Sequence, residues 1–227
     1  MFTKEKKNYF IIVGCNYGGQ LAGCINDAKA MFNTFKQLPN SELHLITDEK
    51  EKVNQESIIN IVNSVHEKEK NLNTPYQIFF TFAGHGHPGG SIQLSNGNVV
   101  CKELYEIFNS GSVRKFELIV VLDCCYAGGF DNLNKYGNIK NTLVITSCNS
   151  SQRSAESISN LRNNELEKKY DICKEKNYYI GVFTYNFTEI INWLIKNNKE
   201  IKLENIFIDS IWNTIAIIGK QSYQIKK

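Results

Sequence analysis

The chain has 227 residues, 42% hydrophobic and 22% charged, which suits one compact domain with a sizeable core and excludes a disordered or fibrous protein. Its formal charge of +3 comes from 26 basic and 23 acidic residues mixed along the chain, leaving no electrostatic footprint for nucleic acid or an anionic membrane. Seven cysteines, at positions 15, 24, 101, 124, 125, 148 and 173, form no spaced framework, so free thiols and a cytoplasmic location are expected.

Lys4, Lys6 and Lys7 ahead of Tyr9 to Val13 have the outline of a signal peptide. The apolar part is too short and runs on into Asn16, so Tyr9 to Gly14 reads as a first buried strand. No run approaches the roughly 18 to 20 apolar residues of a membrane span. After a turn through Gly18, Gly19 and Gly23, a helix begins near Asn26, with Ile25, Ala28, Met31, Phe32 and Phe35 at helical spacing. Pro39 and Asn40 end it. Leu43 to Thr47 reads as a second strand and Ile58, Ile59, Ile61, Val62 and Val65 as a second helix; this alternation favours a parallel sheet.

Tyr76 to Phe82 is a strand leading into His85. Ser91 to Leu94 and Val99 to Cys101, split by Asn96-Gly97, form a small hairpin. Leu104 to Phe108 is a short helix, Phe116 to Leu122 the most deeply buried strand, and Leu143 to Thr146 another strand. From Ser150 to Asn177 the chain is polar and lacks an apolar face, as in a mobile connector. Phe183, Phe187, Ile190, Ile191 and Leu194 carry helical spacing, a further helix is expected across Leu203 to Ile215, and Gln221 to Ile225 adds a final strand. There is no internal repeat and no second domain.

Two apolar runs stop abruptly in small residues beside a reactive side chain: Phe80 to Phe82 before Ala83-Gly84-His85-Gly86, and Val120 to Leu122 before Asp123-Cys124-Cys125. An open α/β sheet gathers its chemistry at the carboxyl ends of its strands, so His85 and Cys125 can be neighbours although 40 residues apart. A thiol becomes a strong nucleophile when a neighbouring imidazole takes its proton. The backbone N–H groups of Gly86 and Cys125 could then bind an oxyanion, completing the parts of an acyl transfer. Taken singly, His85 is a loop histidine and Cys125 a buried thiol; taken together they favour a site. A zinc site from His85, His87, Cys124 and Cys125 is the weaker rival, because structural zinc cysteines are usually spaced rather than adjacent.

The Ala83-Gly84-His85-Gly86 and Asp123-Cys124-Cys125 motifs resemble the His-Gly and Asp-x-Cys signatures of the caspase-like cysteine peptidases. Leu21 to Ala28, with Met31 three residues on, is similar to a segment near the start of metacaspases. The resemblance extends to Ser151 to Glu156, to Gly181 to Tyr185 and, weakly, to Gln221 to Ile225. It implies a single caspase-like α/β/α sandwich over residues 1–227 with a mostly parallel central sheet. Residues 1–149 would be large-subunit-like, 150–177 the connector and 178–227 small-subunit-like.

By motif position the resemblance makes Cys125 the nucleophile and His85 the general acid and base. It places Asp27 and Asp123 in an acidic specificity pocket, with Ser154 and Glu156 lining it by analogy, so that substrates would carry Arg or Lys before the scissile bond. The plainer roles are a first-turn acid for Asp27 and a loop cap for Asp123. Tyr126-Ala127-Gly128 departs from the usual metacaspase His-Ser-Gly and is closer to bacterial caspase-like sequences. Many metacaspases carry an acidic stretch after the catalytic His that helps bind calcium, whereas His87 to Lys102 contains no Asp or Glu; against that resemblance a calcium-independent enzyme with no cofactor and no metal is expected. The basic connector invites self-cleavage, the resemblance favours a monomer, and the alternative function is a catalytically silent caspase-like binding or regulatory module.

Overall fold

A strand that is apolar on both faces has to be covered on both. β1 (Lys7–Gly14), the expected strand Tyr9 to Gly14 begun two residues earlier, is buried along nearly its whole length one place in from the edge of the sheet. The structure, a computed structural model, describes residues 6–72, 74–111, 116–131, 133–136, 139, 142–158, 179–202 and 224–226. The expected helix across Leu203 to Ile215 and most of the polar connector lie outside these.

After β1 come α1 (Cys24–Phe35), β2 (Ser41–Thr47), α2 (Gln55–Glu69), β3 (Tyr76–Gly84), β4 (Gly86–His87), β5 (Ser91–Leu94), β6 (Gly97–Val100), α3 (Cys101–Asn109), β7 (Glu117–Cys124), β8 (Thr142–Thr146), β9 (Glu156–Ile158), β10 (Tyr179–Gly181), α4 (Val182–Lys196) and β11 (Gln224–Lys226). The main sheet runs β11-β8-β7-β3-β1-β2, parallel except for β11, which pairs antiparallel with β8 at the edge. Elements thus match the expected order. The differences include the start of α1 at Cys24 rather than Asn26 and of β2 at Ser41 rather than Leu43, Cys101 opening α3 rather than ending the hairpin, β11 at Gln224–Lys226 rather than Gln221–Ile225, the short β4, β9 and β10, and 3-10 turns over Ala127–Phe130 and Leu133–Tyr136.

Strand periodicity divides the core in two. Tyr9, Ile11, Val13, Ile78, Phe80, Phe82, Leu118, Val120 and Leu122 face α2 and α3, meeting Ile58, Val62, Val65, Leu104 and Phe108. Phe10, Ile12, Phe79, Ile119 and Val121 face α1 and α4, meeting Ala28, Met31, Phe35, Phe183, Phe187 and Ile191. The stacked rings of Phe10 and Phe35, 4.5 Å apart at 19°, seat α1 on the sheet. α2 begins where the Asn54 side chain accepts from the Ser57 amide at 2.8 Å, meeting one of the amides a helix start leaves unpaired. At the amino end of the sheet His66 bridges the Tyr76 hydroxyl and the Phe108 carbonyl, and burial lowers its pKa. That tie fastens α2 to α3, leaving the carboxyl end of the sheet as the end where loops gather.

Candidate active site

β3 and β7 are adjacent and parallel, in a register that sets Gly84 opposite Cys124. The next residues, His85 and Cys125, therefore leave the sheet side by side at its carboxyl edge. Their loops are pressed together. A Cβ on Gly86 would stand 2.0 Å from the Cys125 carbonyl oxygen and 2.8 Å from the Cys124 sulfur, so only glycine lets the two backbones approach this closely. A few residues on, a Cβ on Gly90 would meet the Gly129 carbonyl oxygen at 2.4 Å.

The loop after Cys125 turns sharply, with Tyr126 in the left-handed region at φ 56°. Residues 147–152 hold it there. The Tyr126 amide donates to the Gln152 carbonyl at 2.7 Å, the Gly128 amide to the Cys148 carbonyl at 3.0 Å, and the Cys148 thiol to the Cys124 carbonyl at 3.3 Å. A strained turn that is tied from outside presents the side chain before it in one orientation. Exposed Arg153 lies beside this turn, its pKa raised by a hydrogen bond to Tyr126 and by the neighbouring Tyr126 and Cys125.

The two adjacent thiols sit differently. Cys124 is buried at 1% exposure beneath Gly86, and burial, followed by Cys148, Asp123 and Cys125, raises its pKa well above the usual thiol value. Cys125 is partly exposed. Burial lowers the His85 pKa, and the nearby His87 lowers it further, so the imidazole is neutral near pH 7 and able to accept a proton.

β4 pairs with β5 so that Gly86 lies opposite Ile92, while the Gln93 amide donates to the His85 carbonyl at 2.9 Å. Antiparallel ladders alternate bonded and non-bonded pairs. With His85 and Gln93 a bonded pair, Gly86 falls in a non-bonded one and its N–H is directed away from β5. That direction suits a donor to a substrate oxygen.

Asp123 precedes Cys124 by one residue and so faces the opposite side of the sheet, toward α1 and α4. There its carboxylate accepts from the Ser154 hydroxyl at 2.6 Å, the Thr184 hydroxyl at 2.7 Å and the Thr184 amide at 3.2 Å. Burial raises its pKa; hydrogen bonds from Ser154, Thr184 and Ser147 oppose the rise. Asp27, on α1 and 2% exposed, accepts from the Gly181 amide at 2.7 Å. A Cβ on Gly181 would meet Asp123 Oδ2 at 2.3 Å and Asp27 Oδ2 at 3.2 Å. The two acids thus converge on one glycine and line a single small cavity with Met31, Thr81, Phe82 and Thr184, whose volume of about 10 Å³ admits the centre of one water.

Of the residues singled out in the sequence, the fold brings His85, Gly86 and Cys125 together, and separately Asp27, Asp123 and Ser154. Glu156 belongs to β9, which pairs with β10 through Gly181↔Glu156, but its side chain lies outside the described part. Among the described residues no group of three His, Cys, Asp or Glu side chains is arranged to hold a metal ion. Sequence reasoning missed Tyr17, Gln93 and Thr184. The signal for Tyr17 is its place in the loop at the carboxyl end of β1, beside β3.

Among the described residues no helix is long and apolar enough to cross a membrane, and the six described cysteines are unbridged. A family model described as the caspase domain matches residues 7–207. Metacaspase-1 of Ajellomyces capsulatus is 26% identical over 145 residues, covering 54% of this chain and 41% of that protein. Metacaspase-1A of Aspergillus fumigatus is 32% identical over 145 residues, with 54% and 35% covered. Metacaspase-5 of Trypanosoma cruzi is 21% identical over 261 aligned positions, covering 94% of this chain and 55% of that protein. The chain therefore spans about half or less of the length of these relatives.

Proposed function

The chain belongs to the caspase-domain family of cysteine peptidases, and on that premise we propose that it is an endopeptidase working through Cys125 and His85 and cutting after Arg or Lys. The observation that carries the reading is the β3–β7 register, which brings the two strand ends level. His85 takes the Cys125 proton as the sulfur attacks the scissile carbonyl carbon. The oxyanion is met by the Gly86 and Cys125 amides, His85 returns the proton to the departing amine, and water, deprotonated by His85, releases the acyl group.

The preference for Arg or Lys rests on Asp27 and Asp123. Two buried carboxylates on one cavity favour a cationic partner and reject an acidic one, and the hydroxyl and amide donors around Asp123 carry no charge. The cavity is too small for an arginine as it stands, so the pocket has to open for a substrate side chain to reach the acids. Calcium has no part in this scheme. Free thiols at the described cysteines support a reducing, cytoplasmic setting.

Hydrolysis of Arg-, Lys- and Asp-ended fluorogenic peptides by wild type and Cys125→Ala, each with calcium and with chelator, tests the reading. Release from Arg and Lys peptides by wild type alone, unchanged by chelator, is expected. Equal signal from both proteins would leave a binding or regulatory module instead, and a chelator-sensitive signal would remove calcium independence.

A further inference from the structure

The chemistry proposed above rests on His85, and the ring lying against that imidazole belongs to a residue with no part in the steps. Tyr17 sits in the loop between β1 and α1, in the left-handed region at φ 54°. That conformation costs a side-chain-bearing residue of order 1 kcal/mol or more and persists only where neighbours impose it. Asp48, just past β2, imposes it: its two carboxylate oxygens accept from the Asn16 and Tyr17 amides, each at 2.8 Å.

So held, the phenol reaches across to the end of β3. Its hydroxyl accepts from the His85 amide at 2.9 Å and donates to the Gln93 carbonyl at 2.5 Å. His85 and Gln93 already share the bond from the Gln93 amide to the His85 carbonyl. The Tyr17 hydroxyl therefore stands where the second rung of that pair would form, lengthening the rung by one oxygen. The phenol ring also stacks on the imidazole, centroids 4.7 Å apart and planes at 25°. Gly84 keeps the place open, since a Cβ there would stand 2.6 Å from the hydroxyl oxygen. Burial raises the Tyr17 pKa far above the usual phenol value, so the hydroxyl remains both donor and acceptor throughout the working pH range.

Gln93 completes the arrangement. Its side-chain oxygen lies 2.8 Å from His87 Nε2, while its backbone grips both His85 and Tyr17. Among the described residues, the titratable groups around His85 include Tyr17 from the β1–α1 loop, His87 on its own segment and, at the end of the neighbouring strand, Cys124 and Cys125.

We propose that Tyr17 is a positioning residue for His85, fixing the amide that precedes Gly86 through its hydroxyl and the plane of the imidazole through its ring. This rests on His85 as the proton carrier. The two contacts are separable: Tyr17→Phe keeps the ring and loses the hydroxyl link, whereas Tyr17→Ala loses both and opens the imidazole to water.

The experiment compares wild type, Tyr17→Phe, Tyr17→Ala and Cys125→Ala by kcat, KM and the pH profile of kcat/KM on an Arg-ended peptide. Alongside, His85 is titrated by NMR in the Cys125→Ala background with and without each Tyr17 change. Tyr17→Phe is expected to lose about tenfold in kcat with KM little changed, and Tyr17→Ala about a hundredfold, the scale of a misplaced proton carrier. Tyr17→Ala should also raise the His85 titration midpoint, moving the acid limb of kcat/KM to higher pH. Unchanged kcat in both Tyr17 variants, or a His85 midpoint that does not move in folded Tyr17→Ala, overturns the inference. Cys125→Ala as active as wild type overturns the peptidase reading instead, and the NMR titration still decides the role of Tyr17.

Discussion

The α-carbon of Gly86 lies against the carbonyl of Cys125, so closely that a methyl group there would overlap the oxygen at 2.0 Å. The loop carrying the proposed base and the loop carrying the proposed nucleophile are thus one packed unit. Gly86→Ala must push them apart. It is expected to cost about 1–3 kcal/mol of stability, the usual range for overpacking, and about a hundredfold or more in kcat. A melting curve and initial rates on an Arg-ended peptide measure the two; a folded variant with wild-type kcat would show that the approach is not needed.

The contrast between the neighbouring thiols has a direct readout. Iodoacetamide near pH 7 is expected to label Cys125 ahead of Cys124 and Cys148, both of which burial holds protonated. Cys15 and Cys101, pushed up to about 12, should be slow as well. Peptide mapping by mass spectrometry identifies the labelled site. In activity assays Cys124→Ala should keep wild-type turnover within about fivefold, while Cys125→Ala falls by about a thousandfold or more.

Asp123 predicts a pH dependence whose sign follows from burial. Its folded pKa lies above the unfolded value, so its contribution to stability is complete below the unfolded pKa and is lost as pH rises through the folded one. Asp123→Asn should flatten that part of a urea-midpoint profile against pH. Substrate binding runs the other way: KM for Arg-ended peptides should fall as pH rises and the carboxylate charges, and Asp123→Asn should cost about a hundredfold in kcat/KM on those peptides. An Asn variant with undiminished preference for Arg would take Asp123 out of the pocket.

Self-cleavage remains a specific expectation. β9 and β10 pair through Tyr179↔Ile158, which sets the two ends of residues 159–178 side by side. A cut after a basic residue of the 150–177 connector that falls between β9 and β10 leaves these paired strands on different fragments, so the fragments should stay associated under native conditions and separate in denaturant. Incubated wild type should yield fragments by mass spectrometry and Cys125→Ala should not. An intact chain in a preparation that hydrolyses Arg peptides would end the idea.

How far each feature could be read from the sequence follows from what drives it. The central strands β1, β3, β7 and β8 were legible because burial on both faces makes them continuous apolar runs. The sequence shows β2 only from Leu43, since at the sheet edge Ser41 and Glu42 are half-buried and look like loop. β4, of two residues, and β9, of three, are ladders too brief to show any periodicity. His85 and Cys125 stood out because each follows such a run. Tyr17 did not, because its position depends on a left-handed backbone set by Asp48, a residue 31 positions away.

Asp123 lies within β7, hydrogen-bonded to Ser154 and Thr184, whereas Cys125 lies in the loop beyond the strand's last residue, and that division separates two kinds of evolutionary freedom. Changes around the proposed pocket, at Asp27, Ser154, Thr184 or Gly181, would then alter which residue is accepted while His85 and Cys125, on the loops after β3 and β7, keep their places. A library confined to those four positions is therefore a route to new cleavage preferences that starts from intact chemistry.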